Sequence, residues 1–127
     1  MTPLKFAALS LTVSATALLH ACGGGGGIND GQTPLRVEPQ VVTLQSGTAN
    51  CLPADGPTVF VFGGVPPYTV RNTVPNQVSV SATSINKGGE GTKVRFLGGC
   101  LQSLPLVVVD DVGTTTTIGL NYLPATQ

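Results

Sequence analysis

The stretch Val78-Ser79-Val80-Ser81-Ala82-Thr83 alternates apolar and polar residues without a break. Successive side chains of a β-strand point to opposite faces, so this segment reads as a strand with one face on a core and one in water. Lys93-Val94-Arg95-Phe96-Leu97 repeats the pattern, with Val94 and Phe96 inward and Lys93 and Arg95 outward. Outward from these two segments, residues 35–123 form short runs rich in Val and Thr, broken by Gly, Pro, Asn and Asp. No stretch keeps a 3.6-residue apolar period over a useful length, which argues against helices and for an all-β domain.

Seven strands are predicted. They cover residues 35–38 (with a continuation past Pro39 to residue 44), 58–62, 68–72, 78–83, 93–97, 104–110 and 114–123. Pro39 confines the first to an edge or a kink, because proline cannot donate to a ladder. The connections are short: Gly63-Gly64-Val65-Pro66-Pro67, Asn86 to Gly91, and Asp111-Val112-Gly113. Seven short strands in this span suggest a β-sandwich. Residues 104–109 and 59–62 are apolar at consecutive positions, so each presents an apolar face to water unless something covers it.

The N-terminus reads as an address. Lys5 is the only charge before an apolar run from Phe6 to Leu19, which fits the h-region of an export signal and is too short to span a bilayer. Leu19-His20-Ala21-Cys22 follows. These residues resemble the lipobox of bacterial lipoproteins at Leu19, Ala21 and Cys22, whereas His20 stands where a small residue is usual. The resemblance implies a diacylglycerol thioether on Cys22, cleavage before it, and acylation of the new amine. Two or more chains, at about 0.8 kcal/mol per buried CH₂, give stable membrane anchoring. The alternative is an ordinary signal peptide cut after Ala21, which leaves Cys22 as an odd thiol among three cysteines. Gly23, rather than Asp, after the lipidated cysteine implies the outer membrane. On this reading residues 1–21 are the signal peptide, 22–34 the lipidated cysteine and a tether, and 35–127 the folded domain. The pentaglycine run Gly23 to Gly27 has neither a strand before it nor a Lys-Ser/Thr pair after it, so it reads as tether and not as a phosphate loop. The 12 residues of the tether from Gly23 to Pro34 have an r.m.s. reach of roughly 18–20 Å.

A second resemblance covers most of the remainder. Gly63-Gly64-Val65-Pro66-Pro67-Tyr68-Thr69-Val70, with Val107-Val108-Val109-Asp110-Asp111-Val112-Gly113 further on, looks like the immunoglobulin-like repeats of bacterial surface proteins. The resemblance implies a single immunoglobulin-like antiparallel β-sandwich of about seven strands and is nearly silent on function. In that topology the loops before the second and sixth strands lie at one end, so it implies a Cys51–Cys100 disulfide, permitted in an exported protein.

The chemistry expected is sparse. His20 is the only histidine and leaves with the signal, which removes the commonest general base and metal ligand. No enzyme activity, cofactor or metal is therefore expected. Asp110-Asp111 offers hard oxygen ligands for Ca²⁺, but a solvated hairpin turn explains the pair as well. Gly88 to Lys93 has the wrong residue order for a phosphate loop and reads as a hairpin. Pro66-Pro67-Tyr68 is either a peptide-docking motif or a rigid loop with Tyr68 capping the core. The balanced charge and the absence of any basic run argue against nucleic acid. The expected function is a lipid-anchored module contacting a protein or glycan of the cell envelope; a structural accessory of a larger envelope complex is the alternative. Partner contact is expected at the loop end, through Tyr68, Glu90 and Asp111. A rival surface is a sheet face carrying Arg71, Lys93 and Arg95.

The lipobox reading generates one prediction. Cells expressing the wild-type chain and fed a clickable palmitate should label it, and Cys22→Ser should be unlabelled and either unprocessed or soluble. Equal labelling of the two would remove the lipoprotein reading.

Overall fold

A computed structural model describes residues 33–126. The expected signal peptide, Cys22 and nearly all of the tether lie outside the described residues.

The described chain is an all-β sandwich of nine strands: β1 (Arg36–Glu38), β2 (Val41–Gln45), β3 (Ala54–Phe62), β4 (Tyr68–Arg71), β5 (Val78–Val80), β6 (Ser84–Ile85), β7 (Gly91–Phe96), β8 (Leu101–Val109) and β9 (Thr115–Leu123). One sheet has the order β1-β3-β7-β5 and the other β2-β9-β8-β4-β6. This two-sheet arrangement is compatible with the immunoglobulin-like sandwich that the sequence resembles.

Two differences from the expected strands matter. The predicted first strand is two strands in different sheets. β1 pairs antiparallel with β3, the chain crosses at Pro39-Gln40, and β2 pairs parallel with β9. The sandwich is therefore mixed rather than purely antiparallel. Pro39 ends β1 because it has no N–H for the ladder. The predicted 78–83 strand stops at Val80, and after it the chain turns to add the two-residue β6 to the other sheet.

The alternation read from the sequence sets the core. Val37, Val59, Val61, Val78, Val94 and Phe96 point inward from the first sheet. Val42, Tyr68, Val70, Ile85, Leu106, Val108, Ile118, Leu120 and Tyr122 meet them from the second. Irregularities restore the alternation where it would fail. The β8/β9 register shifts between Leu101 and Leu104, so that Leu101 is buried on the same side as Leu106 and Val108. The β3/β7 register likewise shifts between Asp55 and Thr58, which places Asp55 on the outer face opposite Arg95 while Val59 stays inside.

The disulfide forms as the topology requires. Cys51 precedes β3 of one sheet and Cys100 precedes β8 of the other, with Cα atoms 4.9 Å apart. The cross-link thus ties the two sheets at one end. Beside it the Phe96 and Tyr122 rings pack across the core at 5.0 Å between centroids, and the Tyr122 hydroxyl donates to the Leu52 carbonyl at 2.6 Å.

Closing a loop with a sequence separation of 49 removes denatured-state entropy equivalent to about 4 kcal/mol. The Cys51→Ser/Cys100→Ser double variant should lose stability of about that size in urea unfolding, and a non-reduced digest of the wild type should yield the linked peptides by mass spectrometry. Two free thiols in the native protein would contradict the strand order.

Candidate functional site

Three surfaces carry the residues singled out in the sequence. The first is the end where β3 gives way to β4, β7 begins and β8 turns into β9. The strand registers bring loops 63–67, 86–90 and 110–114 to this end, as expected: Phe60 pairs with Gly91, and Thr69 with Val109. The chain also enters here, since the Gly64 amide donates to the Thr33 carbonyl at 2.8 Å.

Asp110 organises this end. It is buried, 6% exposed. Its Oδ1 accepts from the Thr114 amide at 2.7 Å and the Val112 amide at 3.1 Å, and its Oδ2 from the Val65 amide at 3.0 Å. Both oxygens are thus engaged by backbone N–H groups, which is how a buried carboxylate is accommodated. Asp110 is therefore a pin between two loops, and the exposed Asp111 beside it contributes to the turn. Gly63 and Gly64 have φ of +71° and +56°, and a Cβ on Gly64 would fall 2.7 Å from Asp110 Oδ2. The glycine pair is what lets the loop come this close to the carboxylate.

Tyr68 belongs to the same construction. It is fully buried and donates its hydroxyl to the Gly63 carbonyl at 2.6 Å. It caps the core and presents nothing to a partner, which corrects the expectation that it makes contact. Glu90 and Asp111 are exposed at this end.

The second surface is the expected basic sheet face, and it does not exist as one face. Arg71 lies on β4 of the five-stranded sheet, opposite Val107 of β8, whereas Lys93 and Arg95 lie on β7 of the other sheet. Both of the latter meet Asp55, at 3.6 and 2.8 Å. The alternation correctly put these cations outward, but it carries no information on which sheet a strand joins. The same outer face carries Phe60, 42% exposed, and Phe62, whose ring lies 4.7 Å beneath the Arg36 guanidinium.

The third surface is the disulfide end, where Cys51 and Cys100 were expected to pair but no partner contact was expected. A cleft of about 370 Å³ lies between segment 49–53 and Gly98-Gly99-Cys100. A second of about 270 Å³ opens on the other side of Cys100, between Leu101-Gln102 and Tyr122-Leu123-Pro124. Leu52 and Leu97 at this end are 58% and 38% exposed. The only sequence signal was the pair of cysteines with apolar residues beside them. Among the described residues no cluster of three or more His, Cys, Asp or Glu side chains is positioned to hold a metal ion. Compared with known protein families, curated proteins and solved structures, the chain matches none of them.

Burial, reinforced by the Asp110 carboxylate, raises the Tyr68 pKa above its usual value near 10. A phenol with a folded-state pKa above the unfolded one contributes stability that is fully present below about pH 10 and is lost as pH rises through the folded value. Tyr68→Phe should therefore cost about 1 kcal/mol at pH 7, the size of one lost hydrogen bond. That deficit should shrink above about pH 10, where only the wild type is destabilised by phenol ionisation. Urea melts of both proteins at neutral and alkaline pH check this, and a deficit unchanged by pH would refute it.

Proposed function

We propose that the protein is a non-catalytic binding module, held at the cell envelope by lipid on Cys22 and presenting its disulfide end to a protein or glycan partner. The observation that carries the reading is the hydrogen bond of Thr33 to Gly64, which puts the start of the domain at the loop end. A tether leaving from there attaches the domain by its loop end and leaves the disulfide end clear of the attachment. The features at that far end suit contact: a cleft of about 370 Å³ and the exposed Leu52. Apolar side chains beside a concavity are the usual centre of a recognition surface. The resemblances to bacterial lipoproteins and to immunoglobulin-like surface repeats support the same placement, with the outer membrane as the expected location.

The second reading is a structural or assembly accessory of a larger envelope complex. It is favoured by the uncharged sequences of β2, β8 and β9, three adjacent strands of one sheet.

Crosslinking in cells followed by purification of the full chain tests the module reading. Leu52→Glu should reduce capture of the crosslinked partner at least about fivefold, the equivalent of about 1 kcal/mol, while Glu90→Ala and Asp111→Ala leave it unchanged. The reverse pattern would return the contact to the loop end.

A further inference from the structure

We propose that β2 is a self-pairing edge, through which two copies of this chain join their five-stranded sheets antiparallel across a two-fold axis at Thr43. An edge strand presents a row of unpaired backbone groups, and soluble proteins normally blunt such edges with charge, proline, a bulge or brevity. Three of the four edges here are blunted. β1 carries Arg36 and Glu38 and runs into Pro39; β5 has 3 residues and β6 has 2. β2 has 5 residues, Val41-Val42-Thr43-Leu44-Gln45, in unbroken register with β9 and with none of these protections.

The backbone groups at this edge are assigned by the parallel ladder. The Gly119 amide donates to the Gln40 carbonyl at 2.9 Å, and the Ser46 amide to the Leu123 carbonyl at 2.8 Å. In a parallel pair one strand bonds through alternate residues, so Gln40, Val42, Leu44 and Ser46 face β9. The N–H and C=O groups of Val41, Thr43 and Gln45 then point away from the sheet, and among the described residues no strand but β9 pairs with β2. The side chains of these three residues are exposed, Val41 at 58%.

The occupant follows from charge and register. A two-fold axis brings together two edges of identical charge, so an edge carrying net charge repels its copy and an uncharged one does not. No charged residue lies between Gln40 and Cys51, nor anywhere in β9 or β8 behind the edge. Centring the axis on Thr43 sets Thr43 opposite Thr43 and Val41 opposite Gln45, each pair exchanging both backbone bonds. All the outward backbone groups of the strand are then satisfied by an identical strand. The result is one continuous sheet in which β8, β9 and β2 of both copies form an uncharged face rich in Thr and Val. Five residues bury little area against the roughly 1,000 Å² of a stable complex, so the free dimer is weak, with a dissociation constant on the order of 0.1 mM.

Sedimentation and cysteine trapping of the full chain carrying Cys22→Ser test the proposal. Its mass should rise from monomer toward dimer between about 10 µM and 1 mM, a range bracketing the expected constant. Thr43→Cys in that background should form an intermolecular disulfide in a glutathione buffer, because facing residues of such a pair lie about 5.5 Å apart, within disulfide range. Thr117→Cys, exposed on the neighbouring strand but away from the edge, should not. Thr43→Lys should abolish the dimer with the circular dichroism of the fold unchanged. A monomer at 1 mM, equal trapping at Thr43 and Thr117, or a dimer that Thr43→Lys leaves intact would each overturn it; the last outcome would assign association to another surface.

Discussion

The two sheets of this sandwich meet through a core in which valine is the commonest residue, with only Tyr68, Phe96 and Tyr122 as buried aromatics among the described residues. Small β-branched side chains fit a pleated surface but reach only a short way across the gap between sheets. The arrangement therefore depends on what joins the sheets at their ends. At one end the Cys51–Cys100 bond does so, flanked by the Phe96–Tyr122 contact. At the other, Asp110 reaches from the end of one sheet's strand to the Val65 amide, in the loop by which the chain passes between sheets. One closure acts by restricting the unfolded chain. The other satisfies backbone amides that the turn from β8 and the glycine-rich loop would otherwise leave unpaired.

The same division explains how charge is distributed. Asp55 sits between Lys93 and Arg95 on the outer face of one sheet because the register shift in β3 turns it outward at that point. The neighbouring Arg36–Glu38 pair is also exposed, so neither set adds much stability. Their value is solubility on that face. The opposite sheet has Arg71 on β4 but no charge on three adjacent strands, which makes the two outer faces chemically unlike.

What the sequence disclosed follows from the kind of information alternation carries. Residues 93–97 gave their inward side chains, Val94 and Phe96, correctly, because period two reports which face a residue occupies, whereas residues 104–109 are apolar at consecutive positions and carry no such signal. Period two does not report sheet membership, so residues 35–44 read as one strand with a kink and Arg71 was grouped with Lys93 and Arg95. The start of β3 was missed because Gly56 and Pro57 look like a break, where the structure has a register shift within a strand. The first residues of β8 were missed for the same reason at Gln102 and Ser103. Asp110 and Tyr68 stood out as motif residues, but their burial was legible only once the loops that enclose them were placed.

The parallel pairing of β2 with β9 has a consequence for the order in which the molecule is completed. Thr43 and Asn121, which share a side-chain hydrogen bond across this pair, are 78 positions apart in the chain. The sheet β1-β3-β7-β5 can close once Phe96 has emerged, but β2 has no partner until the last strand is present. A chain appearing from its N-terminus therefore carries β2 as an unattached segment through most of its length, and contacts so distant in sequence form slowly. A fold whose second sheet is sealed only when β9 pairs with β2 stays open at that edge until β9 is in place.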